Sequence, residues 1–187
     1  MRKLAAAVRV EAMSLYNHVA NKEDVLDGLT GLFFTKIEIP QPTDDWAEDL
    51  ASLGVALRAA TRAYPKTATL ALTREAVSDS GVAATAATLD ILHRAGFDTA
   101  EAVQAMRAMM SFQIGALLRE LAHAPTLGAT RDEQDARAEL LKHSDFAVVV
   151  EAAEPLAALD FDREYEYGLY LVVSSIKFAA SQRSGSA

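Results

Sequence analysis

An all-α fold is what this sequence predicts, and three observations carry the prediction. Alanine, the residue with the best helix propensity, is abundant, whereas aromatics make up only 7% of the 187 residues. No stretch keeps up the apolar/polar alternation of a half-buried strand. Apolar residues recur instead at spacings of three and four, in runs that end at glycine, proline or a capping residue. With 51% hydrophobic residues there is enough apolar mass for a core, and the length suits one domain or one domain plus a small module.

Residues 1–8 read as a short helix, with Leu4 and Val8 at i, i+4, and Arg9 sits at a turn. Residues 11–18 form a second short helix bearing Met13, Leu15 and Tyr16 and leading into Val19. Asn21 is placed to cap the next helix, with Glu23 and Asp24 complementing its dipole. Val25, Leu26, Leu29, Leu32, Phe33 and Ile37 continue at helical spacing until Pro40 and Pro42 stop the run.

A helix restarts at Thr43 or Asp44, carries Trp46, Leu50, Leu53 and Leu57 on one face, and runs to Tyr64. Pro65 marks the break before a helix over Thr67–Ser78, and Gly81–Ala95 follows, with Gly96 suited to the left-handed position after its end. Asp98 and Glu101 make a capping box for the longest helix, roughly 99–123, which is apolar on more than one face. Residues 124–135 read as a polar loop. A helix over 136–153 is expected to break around His143–Asp145, and Pro155 interrupts. The last helix runs from about Asp162 to Ala180, with Gly168, Ser175 and Ala179 small enough for close approach of a second helix, and Ser181–Ala187 is read as a disordered tail.

The chain has no cysteine, which removes disulfides and thiolate metal sites and fits a reducing cytoplasm. Met1–Val8 briefly imitates a signal peptide, but Arg9 and Glu11 cut the apolar run short, and no stretch approaches the ~18 apolar residues of a membrane span. A soluble cytoplasmic protein with no membrane partner and no cofactor is expected. The net charge of −8 argues against nucleic acid until its distribution is considered. Residues 1–22 carry Arg2, Lys3, Arg9 and Lys22 against Glu11 alone, a net +3 that leaves −11 for the rest. A basic end on an acidic body is compatible with DNA contact at that end only, because phosphate attraction is local at physiological salt.

Two short helices joined by a tight turn, the second rich in small polar and aromatic groups, form the pattern of a helix-turn-helix, although an ordinary helical hairpin has the same outline. In residues 11–22, EAMSLYNHVANK, Leu15 and Val19 face inward, while Ser14, Tyr16, Asn17, His18 and Lys22 are free to face bases and phosphates.

The run Met1-Arg2-Lys3-Leu4-Ala5, followed by Val10-Glu11-Ala12-Met13-Ser14-Leu15-Tyr16-Asn17-His18-Val19-Ala20-Asn21-Lys22 and Glu23-Asp24-Val25-Leu26, resembles the DNA-binding motif of the TetR family. It is most similar to the tetracycline-repressor-like branch, in which L-Y-x-H-V-x-N-K follows the turn. Ala95-Gly96-Phe97-Asp98 before the long helix and Tyr165-Glu166-Tyr167-Gly168-Leu169 opening the last one resemble that branch's regulatory domain. The resemblance implies a DNA-binding head with its connecting helix over 1–40 and a ligand-binding and dimerisation domain over 41–187. It implies a repressor that binds palindromic operator DNA as a homodimer and leaves it when a small-molecule effector binds.

Carried over position by position, the family's roles put Arg2 on a base or phosphate and Met13 and Ser14 at the floor or wall of the major groove. Tyr16 and His18 fall to phosphates or bases, and Lys22 to the backbone. Ala12 stands where a longer side chain could read a base, so it could at most touch a thymine methyl. Two departures stand out. The family motif opens with a helix ahead of the turn pair, and Met1 falls where the second helix begins, so the head is read as lacking its first helix. Arg9 stands at the turn position usually held by glycine, a strain of roughly 1 kcal/mol if φ is positive there.

For the effector, candidates are the residues that bring polar or adaptable groups into apolar helices: His93, Met106, Met109, Met110, Phe112, Gln113, Arg119 and His123. Ordinary core or surface placement is the alternative for each. Asp44-Asp45-Trp46-Ala47-Glu48 mimics an Asp-rich metal-diphosphate motif, but the chain is short for such an enzyme, and Asp after Pro40 and Pro42 is expected as a helix cap. No catalytic motif is recognised, and no enzyme is predicted. A ligand-binding helical dimer whose head no longer works is the remaining alternative.

Overall fold

The computed structural model describes residues 1–74, 79–123 and 131–184. Among them are eleven α-helices and no strand. In chain order these are α1 (Arg2–Ala7), α2 (Ala12–Tyr16), α3 (Lys22–Phe34), α4 (Trp46–Ala63), α5 (Pro65–Thr73) and α6 (Asp79–Arg94). They continue with α7 (Thr99–His123), α8 (Arg131–Lys142), α9 (Ala147–Glu151), α10 (Ala153–Ala157) and α11 (Phe161–Ser184).

The helix boundaries are set largely by local chemistry. Asn21 Oδ1 accepts from the Asp24 amide at 3.0 Å, and Asp24 Oδ2 accepts in return from the Ala20 amide at 2.9 Å. At the head of α7 the box is fully reciprocal: Asp98 Oδ1 accepts from the Glu101 amide and Glu101 Oε2 accepts from the Asp98 amide. Each box satisfies amides that the first helical turn leaves free. Gly96, at φ +89°, ends α6, with Phe97 N–H reaching back to the Leu92 carbonyl.

Several boundaries differ from the sequence expectation. Asp45, rather than Thr43 or Asp44, caps α4, its carboxylate accepting from Ala47 and Glu48. Pro65 opens α5 rather than preceding it, because proline at the first helical position has no amide to leave unpaired. The expected end of that helix, over 75–78, lies outside the described residues. α3 stops at Phe34, with Ile37 buried beyond it. Helix α8 begins at Arg131, inside the expected polar loop, where Asp132 and Glu133 suit a first turn; residues 124–130 of that loop are not described. The break expected around His143–Asp145 separates α8 from α9, a further break at Ala152 separates α9 from α10, and Pro155 lies within the first turn of α10 instead of interrupting a helix. Ser181–Ser184 continue α11 rather than forming a tail, and the rest of the expected tail, 185–187, lies outside the described residues.

The core lies among α3, α4, α6, α7 and α11 and is built on Phe33, Leu50, Leu92, Leu117 and Leu169. Its ends are pinned by ion pairs. Arg58 on α4 gives Nε to Glu120 on α7 at 2.9 Å and Nη2 to the Phe161 carbonyl at 2.7 Å, while Arg62 holds the other Glu120 oxygen. Asp49, buried at the start of α4, accepts from Arg94 on α6 and from both the amide and the hydroxyl of Thr43. The short helices α8, α9 and α10 pack on one another beside this body.

Candidate DNA-contacting head and ligand cavity

Helices α1 and α2 pack together over Ala5, which is buried. Between them Val10 N–H bonds the Ala5 carbonyl at 3.0 Å and Arg9 N–H the Ala6 carbonyl at 3.2 Å. That bond pair is a Schellman end, and it requires a left-handed residue at position 9. Arg9 adopts it at φ 59°, where glycine would be unstrained.

Helix α2 is shorter than expected and ends at Tyr16. Asn17 and His18 therefore sit in a turn, with Asn17 N–H on the Ser14 carbonyl at 3.3 Å. Short polar side chains at a helix end compete with the helical bonds and favour such a stop. Met13, Ser14, Tyr16, Asn17, His18 and Lys22 are all exposed, Met13 at 74%, and Val19 is half-buried. The candidate DNA-facing residues thus share the solvent side of α2 and the turn leading to α3. The side chains of Arg2 and Leu15 lie outside what the structure describes.

A second feature lies at the other end of α3. Helices α4, α5, α6 and α7, with Phe34 and Ile37, line a partly open cavity of about 600 Å³. That volume is in the range of a pocket for a drug-sized ligand. Its walls are mainly aliphatic, with Leu50, Leu53 and Leu57 from α4 and the methionines of α7.

The polar groups are few. Thr73, Thr85 and Thr88 line the cavity, but each hydroxyl donates to a carbonyl one turn back in its own helix. Gln113 is 1% exposed, and its Nε2 has no hydrogen-bond partner among the described residues. Its Oε1 lies 2.8 Å from the Tyr165 hydroxyl, which also meets the Gly54 carbonyl at 2.7 Å. Burial pushes the Tyr165 phenol up to about 12, so it remains a donor. Gly54 lets these groups approach closely: a Cβ there would displace the Gln113 amide and the Met109 methyl.

The structure brings four of the eight sequence candidates onto this cavity: Met106, Met109, Met110 and Gln113. The other four lie elsewhere. Phe112, one residue round the helix from Gln113, packs beside Tyr165 and fills the open side of Gly168. Arg119 pairs with Glu164 and lies over the Phe161 ring, and His123 stacks near the same ring at 5.4 Å. Both are more than a turn beyond Gln113, where α7 has passed the cavity. His93 lies in a separate groove with Pro40, Pro42 and Arg94. Sequence reasoning missed Arg74, Thr88 and Gly54 on the cavity wall; the mid-helix glycine was the one available signal. The Asp-rich segment is accounted for by the Asp45 cap, and no group of three or more potential metal ligands occurs among the described residues. Nor is any described helix long and apolar enough to cross a membrane.

Comparison with known proteins agrees with this architecture. An HTH-type transcriptional regulator of Saccharopolyspora erythraea is 31% identical over 144 residues, covering 76% of this chain and 59% of that protein. The class A tetracycline repressor protein from transposon 1721 of Escherichia coli is 34% identical over 125 residues, 65% of this chain and 57% of that one. The chain thus spans less than two thirds of the length of these relatives. Among solved structures, the Streptomyces coelicolor TetR family protein ActR in complex with actinorhodin superposes with a TM-score of 0.85 at 26% identity, covering 96% of this chain and 87% of ActR. Residues 39–179 match the family described as tetracyclin repressor-like, C-terminal domain, and the chain therefore belongs to the TetR family.

Proposed function

We propose that the chain is a cytoplasmic transcriptional repressor that holds palindromic operator DNA as a homodimer and releases it when a small molecule fills the cavity between α3 and α7. The observation that carries this is that one helix serves both sites. The first turn of α3 is bonded to the head through the Asn21–Asp24 box, and its last residue, Phe34, walls the cavity. A ligand that repositions the wall would tilt α3 and move the head, which is a population shift between two arrangements.

The dimer would pair α7 and α11, whose outer surface exposes Tyr167, Tyr170, Leu171 and Phe178. An isologous contact there would set two heads on successive major grooves. Met13 and Ser14 would meet the groove, Arg2, Tyr16, Asn17 and His18 bases or phosphates, and Lys22 the backbone. The tetracycline repressor and the actinorhodin complex of ActR support a ligand-released regulator by likeness.

Salt-titrated fluorescence anisotropy tests the proposal, using duplex from upstream of the chain's own gene with a scrambled duplex as control. Selective binding that weakens steeply with salt is expected. Tyr16→Ala or His18→Ala should weaken it at unchanged helicity; equal affinity in the variants would overturn the groove assignment. A second reading, a ligand-binding dimer without a working head, is favoured by the exposure of Val8, Val10 and Met13 together with the left-handed Arg9. Absence of selective binding to either duplex would favour it.

A further inference from the structure

Arg74 follows directly on α5 and is the one charged residue lining the cavity among the described residues. It also reaches away from the cavity. Its Nη2 meets Glu23 at 2.9 Å and Asp27 at 2.8 Å, both on the first two turns of α3. A single nitrogen therefore serves two carboxylates, while the buried Nε has no acceptor among the described residues. A guanidinium carries five N–H donors in a planar fork suited to a second, bidentate anion.

We propose that the effector is an apolar molecule bearing an acidic group, and that Arg74 relays its arrival to the head. Resting as it does on the cavity being the effector site, the proposal adds the ligand's charge and the path of the signal. No described carboxylate lines the cavity, so a cationic ligand would be buried without a counter-ion, at high cost. An acidic group finds Arg74. In turning its fork toward the ligand, Arg74 gives up Glu23 and Asp27, and the head-proximal end of α3 loses its tie to α5. Both carboxylates are more than half exposed, so the tie is weak enough for a ligand to break. By linkage, the two carboxylates and the ligand compete for one cation, and removing either side strengthens the other.

Two fluorescent probes of one ring system test this on the intact chain: 8-anilinonaphthalene-1-sulfonate and its uncharged parent N-phenyl-1-naphthylamine. The ratio of their affinities cancels changes common to both, including any general loosening of a variant. In the parent chain the sulfonate should bind more tightly, one per chain. Arg74→Gln should lower the sulfonate preference about tenfold, the scale of a charge-assisted hydrogen bond. The double variant Glu23→Gln/Asp27→Asn should raise it about fivefold or more, the lower end of ordinary coupling between sites. The sulfonate, and not the parent amine, should also speed amide exchange over residues 22–27. An unchanged ratio in Arg74→Gln overturns the acidic ligand, and an unchanged ratio in the double variant overturns the relay. If the probes bind stoichiometrically with no charge preference, the cavity survives as a binding site and only this inference falls. If neither binds at one per chain, the effector cavity itself is refuted.

Discussion

Tyr165 on α11 donates its hydroxyl proton to the carbonyl of Gly54 on α4 at 2.7 Å, joining helices 111 residues apart in the chain. The same hydroxyl touches the Gln113 amide on α7, so three helices meet at one buried phenol beside the cavity. Arg58 lies over its ring at 4.4 Å and adds a cation–π contact.

Replacing Tyr165 by Phe keeps the ring and removes both contacts, leaving the buried Gln113 Oε1 without its donor and the Gly54 carbonyl with its helical bond alone. A loss of about 1–3 kcal/mol is expected. Urea unfolding should show it as a lower midpoint with an unchanged slope. A midpoint equal to the parent's would mean that water takes over both groups.

Gly54→Ala should act on the cavity before it acts on the fold. The new methyl displaces the Gln113 amide and the Met109 methyl, both of them ends of flexible side chains. Detachment of Gln113 from Tyr165 should cost about 1 kcal/mol. Uptake of N-phenyl-1-naphthylamine should fall, with circular dichroism unchanged; undiminished uptake would show that the two side chains move aside freely.

Arg9→Gly relieves a left-handed backbone at the head's turn. Hydrogen exchange should slow across α1 and α2, by an amount corresponding to roughly 1 kcal/mol before the greater freedom of unfolded glycine is subtracted. The same change removes a positive charge from the head, so the salt dependence of any DNA binding should become shallower. Faster exchange in the variant would show that the Arg9 side chain stabilises the turn by more than its backbone costs.

Two groups shape stability at the extremes of pH. Hydrogen bonding from Arg94, aided by Thr43 and opposed by burial, holds the Asp49 carboxyl below its ordinary 3.8. The folded state therefore binds that proton less readily than the unfolded state. The resulting stability is present above pH 3.8 and is lost as pH falls further. Asp49→Asn should flatten this acid limb of the unfolding midpoint. At the other end, Tyr165 ionises near 12 when folded against 10.0 ordinarily, so stability should fall between those values as the unfolded state gives up its proton first. Ultraviolet titration should find one of the five tyrosines ionising near 12, and Tyr165→Phe should remove it.

Much of the fold was legible in the sequence because its determinants are short-range. The Asn21 cap, the Asp98–Glu101 box and the left-handed Gly96 each act within four or five residues, so residue type and spacing suffice. The same locality explains where boundaries slipped. Pro65 is as good a first helical residue as a breaker, and Asp44 and Asp45 are equivalent as caps until the chain path from Thr43 selects one.

The candidate sites divide along the same line. The exposed residues of the head could be read from the pattern in 11–22, since a two-helix unit leaves few arrangements of its polar face. For α7, spacing showed an apolar helix with two faces, which cannot distinguish Gln113, on the cavity, from Phe112, against Gly168.

Helix content, caps, turn geometry and a basic, polar end on an acidic body are set by neighbours along the chain and could be read from residue order. Packing of distant segments places Arg74 between a cavity and the carboxylates of α3 and brings Gly54, Gln113 and Tyr165 around one hydroxyl. Those partners are 47 to 111 residues apart, and no local preference of the chain encodes which of many apolar faces will meet.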